Sequence, residues 1–281
     1  MPRTLKSLKT PLRYPGGKSR AVPKLLQYLP NLFQVKEFRE PFLGGGSVAL
    51  EITKRYPHID IWVNDLYEPL YNFWCELQHN GQELQDALLG IKTIYCNPDA
   101  ARCLFTSSKE QINDSDLSNF DRAVAFYIVN KCSFSGLTES SSFSAQASES
   151  NFSTNGIERL TEYSEIIERW KITNLSYESM LCDDKDTFIY LDPPYDIKDN
   201  LYGKKGDIHK RFDHDKFAHD CDQHTCPMLI SYNSDQIIRD RFYEWTVGEF
   251  AHTYTMRSVG CYNIDQATRK ELVLTNYEMR S

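Results

Sequence analysis

The chain reads as an α/β fold: an open sheet of mostly parallel strands, helices on its faces, and a helical insertion part-way along. Three observations predict it. Residues 37–42 and 59–63 have strand composition and enclose a glycine turn followed by a helix, which is how an open sheet begins. Apolar residues then recur at helical spacing from 66 to 131. Strand composition returns at 187–191 and stops at Asp192-Pro193-Pro194-Tyr195, where two prolines impose a rigid, extended turn. With 281 residues, 41% of them hydrophobic and 25% charged, the chain is long enough to bury such a core.

Taken in order, residues 1–24 carry Arg3, Lys6, Lys9, Arg13, Lys18, Arg20 and Lys24 and no acid, although the net charge is −7. A basic arm on an acidic molecule can hold a polyanion on one face and repel it elsewhere. Pro15-Gly16-Gly17 forms a turn, and Lys18 opens a predicted helix reaching residue 29, an arrangement suited to an anion. The spacing is not that of a P-loop. After the first strand, Leu43-Gly44-Gly45-Gly46-Ser47 lets a nucleotide-like ligand approach the backbone, and a helix is predicted over 48–56. The turn lacks the Gly-x-Gly-x-x-Gly spacing of a dinucleotide site. Asp65 ends the second strand about twenty residues beyond the first glycine, where ribose hydroxyls are held in such folds.

Asn113-Asp114-Ser115-Asp116 interrupts the helical stretch, and a new helix is predicted from about 117. Residues 133–154 are dominated by serine and read as a loop, with Phe134, Phe143 and Phe152 spaced evenly through it. An amphipathic helix over 156–170 and a strand over 171–175 lead to the central strand. Residues 196–216 are charged and carry two glycines, which suits a mobile lid. A helix to about 225, a strand over 228–232, a helix over 236–245 capped by Asn233-Ser234-Asp235, and strands from 246 and over 271–277 complete the sheet.

Ligands of open sheets sit beyond the carboxyl ends of the strands, so Asp192 and Tyr195 would project into the crevice. A prolyl peptide offers a carbonyl and no N–H, so this turn is rich in acceptors. An exocyclic amine on a nucleobase has two N–H donors for the Asp192 carboxylate and the Pro193 carbonyl, with Tyr195 covering the ring.

Asp192-Pro193-Pro194-Tyr195, preceded in order by Tyr14, Gly16-Gly17-Lys18, Glu40-Pro41-Phe42-Leu43-Gly44-Gly45-Gly46-Ser47 and Asp65, resembles the Dam-like (D12 class, alpha group) DNA adenine-N6 methyltransferase family. The resemblance implies a class I S-adenosylmethionine-dependent methyltransferase fold, Rossmann-like, whose seven-stranded sheet ends in an antiparallel strand. It divides the chain into a donor-binding half with its basic arm (1–66), an inserted, mainly helical target-recognition domain with a Ser-rich loop over 133–155 (67–170), and the catalytic half (171–281). It implies catalysis by Asp192, Pro193 and Tyr195. S-adenosylmethionine would be held by Tyr14, Lys18, Phe42, Gly44, Gly46, Asp65 and Asp192, and double-stranded DNA by Lys9, Arg13, Lys131, Ser135 and Gly136. An adenine would be flipped out of the duplex for methylation at N6. The family's Asn-Gly followed by a guanine-reading Arg is replaced here by Ser135-Gly136-Leu137-Thr138-Glu139, so the family's GATC target is not carried over.

The bulk properties narrow the rest. No run approaches the roughly 18 apolar residues of a membrane span, and the N-terminus lacks an apolar signal core, so a cytoplasmic protein is expected. Eight cysteines without paired spacing read as reduced thiols. Cys221-Asp222-Gln223-His224-Thr225-Cys226 has no second half elsewhere, so no metal is expected. The sequence leaves open methylation of cytosine N4, of RNA or of a protein amide, a DNA-binding regulator with a silent site, and a cognate restriction endonuclease as partner.

Overall fold

The structure, a computed structural model, describes residues 10–14, 16–134, 136, 140–195, 212–251 and 270–279. The chain enters as an irregular stretch and a 3₁₀ turn, Lys18–Arg20, followed by α1 (Val22–Leu25). In place of the single helix expected to residue 29 there is this turn and a four-residue α1 that ends at Leu25. Strand β1 (Glu37–Glu40) stops at Pro41, and α2 (Ser47–Arg55) follows the glycine turn. Strand β2 (Asp60–Asn64) then delivers Asp65.

Four helices come next: α3 (Glu68–His79), α4 (Gly81–Ile94), α5 (Pro98–Gln111) and α6 (Asn119–Cys132). Each of α3 and α5 has a proline in its first turn, where the missing N–H costs nothing, and Ser118 caps α6 by accepting from Asp121 N–H. Helix α6 is buried from Ala123 to Cys132 and packs against α3 and α5.

The Ser-rich segment differs from the loop expected of it. It contains α7 (Ala145–Ser150) and the start of α8 (Thr154–Glu158), each begun by a serine: Ser144 accepts from Ala147 N–H and Ser153 from Gly156 N–H, both at 3.2 Å. The serines act as helix caps, a role that composition does not distinguish from a linker. Phe152 is buried, and Phe143 packs edge-on to Phe105 with ring centroids 5.7 Å apart. Phe134 alone of the three points outward, 57% exposed.

The helix expected over 156–170 is divided between α8 and α9 (Leu160–Ile167). Strands β3 (Lys171–Thr173) and β4 (Thr187–Leu191), helix α10 (His214–Asp222), strand β5 (Met228–Asn233), helix α11 (Gln236–Arg241), and strands β6 (Thr246–Ala251) and β7 (Lys270–Thr275) complete the described chain. Asp235 caps α11 through Ile237 N–H, and the helix ends four residues short of the expected 245. Most of the expected lid, 196–211, lies outside the described residues.

The sheet has seven strands in the order β3-β2-β1-β4-β5-β7-β6. Strands β3, β2, β1, β4 and β5 run parallel, and β7 is antiparallel to both β5 and β6. A seven-stranded sheet with a reversed last strand is what the resemblance implies. Its reversed strand matters for the site: the amino end of β7, not its carboxyl end, lies beside the carboxyl ends of β4 and β5. Strand β4 is buried at every residue and sits mid-sheet, so Asp192 and the prolines after it are anchored to the stiffest part of the fold. No helix of the described residues is long and apolar enough to cross a membrane.

Candidate active site

Asp192 leaves β4 beyond the last ladder residue, with Pro193 buried behind it. Its Oδ1 accepts from Lys18 Nζ at 2.7 Å and from Ser231 Oγ, on the neighbouring β5, at 3.1 Å. The Lys18 ammonium, 4% exposed, also donates to the Tyr195 hydroxyl at 2.6 Å and lies 3.2 Å from Glu271 Oε1. Tyr195 in turn donates to Glu271 Oε1 at 2.6 Å and stacks on Tyr232, centroids 5.8 Å apart. Two carboxylates, an ammonium and a phenol thus form one hydrogen-bonded cluster. Loss of water pushes the Asp192 carboxyl above its ordinary range; Lys18 opposes that shift and the like charge of Glu271 adds to it. Burial by itself would lower the Lys18 ammonium, but the two carboxylates outweigh it and the net direction is upward.

At the ends of β1 and β2 the arrangement is made by backbone. Gly44 and Gly46 have φ of 50° and 68°, in the left-handed region. A Cβ on Gly44 would stand 2.8 Å from the Tyr14 ring and one on Gly46 2.9 Å from Trp74. Asp65 Oδ2 accepts from Gly44 N–H at 2.9 Å and Oδ1 from Tyr67 N–H at 3.0 Å, so the carboxylate props the turn open. Burial raises its pKa to about 6 against the pull of those two N–H groups. Between the two regions, Glu40 Oε2 accepts from Ala49 N–H at 2.8 Å; burial chiefly, with the charges of Asp192 and Asp65 adding, holds its carboxyl far above the usual range. Glu40 lies within electrostatic reach of both aspartates. Phe42 packs in an aromatic group with Tyr177, Phe212 and Phe217 at 5.7 to 5.9 Å.

Residues 14–256 match the family described as D12 class N6 adenine-specific DNA methyltransferase, which is most of the chain. The chain belongs to that family. It is an adenine-specific DNA methyltransferase, and DNA is the substrate class of its family. Relatives include the type II methyltransferase M.MjaIII of Methanocaldococcus jannaschii, 22% identical over 66% of this chain and 68% of that one. The DNA adenine methylase of Vibrio cholerae is 28% identical over 66% of this chain and 64% of its own length, and the type II methyltransferase M1.LlaDCHI of Lactococcus lactis subsp. cremoris 21% identical over 94% of each.

In this D12 methyltransferase the residues expected to touch DNA have unequal fates. Arg13 and Gly136 meet: Asn130 Nδ2 donates to Arg13 O at 2.6 Å and to Gly136 O at 3.1 Å, while Arg13 Nη1 and Nη2 donate to Ser133 O at 2.6 Å and Phe134 O at 3.2 Å. Gly136 has a φ of 75°, and a Cβ there would stand 2.7 Å from Arg13 O. Lys131 is 8% exposed, its ammonium 5.2 Å from the Tyr127 ring centroid, and burial with the nearby Arg13 lowers its pKa to about 7. Lys131, expected among the DNA-binding residues, is thus a buried amine on the inward face of α6. Lys9 and Ser135 lie outside the described residues.

Three participants escaped the sequence reading. Glu271 reads as a charge ahead of an apolar strand, Ser231 as one polar residue inside another, and Asn130 as a polar break in Ile128-Val129-Asn130. The last carried a usable signal, since an amide inside a buried helix needs partners. Ser231 becomes meaningful only once β5 is known to pair with β4, and Glu271 only once β7 is known to run antiparallel beside β5.

Proposed function

We propose that the chain transfers a methyl group from S-adenosylmethionine to N6 of an adenine swung out of duplex DNA. The observation that carries this reading is that the glycine turn held by Asp65 and the Lys18–Asp192–Glu271 cluster stand at the carboxyl ends of the adjacent parallel strands β2, β1 and β4, along one sheet edge. The residues fit the donor chemically: glycines at positive φ admit a close ligand, Asp65 can take a pair of ribose hydroxyls, and Asp192 with Glu271 makes an acidic centre suited to a sulfonium. Tyr14, Lys18, Phe42, Gly44, Gly46, Asp65 and Asp192 would hold it. S-adenosylmethionine, when bound, supplies an electrophilic methyl group on that sulfonium.

The remaining chemistry falls to this chain. An adenine N6 lone pair is delocalised into the ring, and accepting its two N–H groups at Asp192 and the Pro193 carbonyl localises and aims it. Tyr195 offers a face on which the extruded base can stack, offsetting part of the roughly few kcal/mol of unstacking. Methylation makes the nitrogen acidic, and Asp192 is the nearest acceptor for the proton it then sheds. Residues 67–170 would read the target, with exposed Phe134 and the Arg13-clamped carbonyls of Ser133 and Phe134 facing the duplex.

The test is to incubate duplex DNA with labelled donor and digest it to nucleosides. N6-methyldeoxyadenosine is expected. Label in N4-methyldeoxycytidine, in RNA or in protein offered alongside would overturn the reading.

A further inference from the structure

Asp192 has one difficulty to solve before it can receive an amine: Lys18 already occupies its Oδ1. A second acceptor stands ready for that ammonium. Glu271 is fully buried, 3.2 Å from Lys18 Nζ, and accepts from the Tyr195 hydroxyl at 2.6 Å. It arrives there because β7 is antiparallel, which brings its amino end opposite Asn233 at the carboxyl end of β5.

We propose that Glu271 is a positioning residue: it retains the Lys18 ammonium and the Tyr195 hydroxyl when the target amine takes Asp192, so that lysine and substrate do not compete for one carboxylate. The proposal rests on Asp192 being the amine acceptor. In the free protein the ammonium is shared by Asp192 and Glu271; in the substrate complex it belongs to Glu271. Tyr195, anchored by the same carboxylate and by stacking on Tyr232, keeps its ring in place through the exchange. Tyr232 is itself fixed by His214 Nδ1 at 2.5 Å from its hydroxyl, at the start of α10.

Among the described residues, the charged and titratable groups around Asp192 are Lys18 from the N-terminal turn, Glu40 of β1, Tyr190 of β4, Tyr195, and Glu271 of β7, with Tyr232 and His214 one step further out. The Glu271 charge raises the Asp192 carboxyl, so removing it lowers that carboxyl. Glu271→Gln keeps the shape and loses the charge. It is expected to lower kcat at least tenfold, to move the acid limb of the kcat/KM profile to lower pH, and to shift the Asp192 titration seen by carbon NMR in the free protein the same way. In a Lys18→Met background the same change should cost no further activity, since there is no ammonium to retain. An unchanged kcat and acid limb, or an equal loss with and without Lys18, would overturn the proposal. Should Glu271→Gln not fold, Glu271→Asp keeps the charge and withdraws it by one methylene; a loss in kcat with the acid limb in place supports the role, and a normal kcat overturns it. Asp192→Ala, run in parallel, separates the two ideas. Turnover surviving in Asp192→Ala removes the acceptor reading itself, whereas a dead Asp192→Ala beside a fully active Glu271→Gln removes only the role of Glu271.

Discussion

The ends of β2 and β4 each deliver an aspartate to the same edge of the sheet, and both carboxyls are pushed upward by loss of water. Their partners differ. Asp65 is gripped by two backbone N–H groups, of Gly44 and Tyr67, which cannot leave without unfolding the turn. Asp192, 21% exposed at its side chain, is gripped by Lys18 and Ser231, whose side chains can rotate away. A carboxylate held by main chain is a fixture of the binding site. One held by side chains can exchange partners, which is what a group that must receive a substrate amine requires.

Asp192→Ala should break this comparison most visibly. Turnover is expected to fall by several orders of magnitude while donor affinity, measured by calorimetry, falls far less because Glu271, the glycine turn and Asp65 remain; parallel losses of both would mean that Asp192 is a fixture like Asp65. Asp65→Asn should do the reverse, weakening the donor by about 10- to 100-fold with little effect on the chemical step at saturation. The pH dependence sharpens the same contrast. Asp65 has a folded-state pKa above its unfolded value, so its contribution to stability is present at low pH and is lost as pH rises through about 6. The ionised form is the one that accepts hydroxyls, so donor affinity should climb through that same range in the wild-type protein and stay flat in Asp65→Asn.

Gly44→Ala tests whether the turn itself is the fixture. Its Cβ would meet the Tyr14 ring at a positive φ, and the change should cost about 1–2 kcal/mol in thermal unfolding along with donor affinity. The smallest effect is expected at Lys131→Met: DNA affinity should change less than about twofold, because this buried amine does not supply the released counterion of a phosphate contact. A clear drop in the salt dependence of binding would return Lys131 to the interface.

One stretch joins the two aspartates to the helical insertion. Thr10 donates its hydroxyl to Gly45 O, Arg13 clamps the backbone of Ser133 and Phe134, Tyr14 lies against Gly44, and Lys18 reaches Asp192. The sequence reading found this stretch through its charge and its Gly-Gly-Lys turn and assigned it to an anion or a methyl donor. That it also organises the segment after α6 follows from Asn130, which bonds both Arg13 and Gly136. The Ser-rich segment was harder to read. Short helices begun by Ser144 and Ser153 look, residue by residue, like a polar linker, and the burial of Ala147, Phe152 and Ile157 distinguishes them.

What the sequence determined by itself is local: a central strand that ends at Asp192, glycines where the backbone must turn left-handed, and an acid at the end of β2. Each depends on steric and hydrogen-bonding preferences of neighbouring residues, which a linear reading can weigh. Only the tertiary structure decided that Lys18, 174 residues from Asp192, shares that carboxylate's space with Glu271 and Ser231. The reversal of β7 brings a strand's amino end to the ligand edge, and strand direction is set by how the whole sheet closes over its core, not by the residues of the strand.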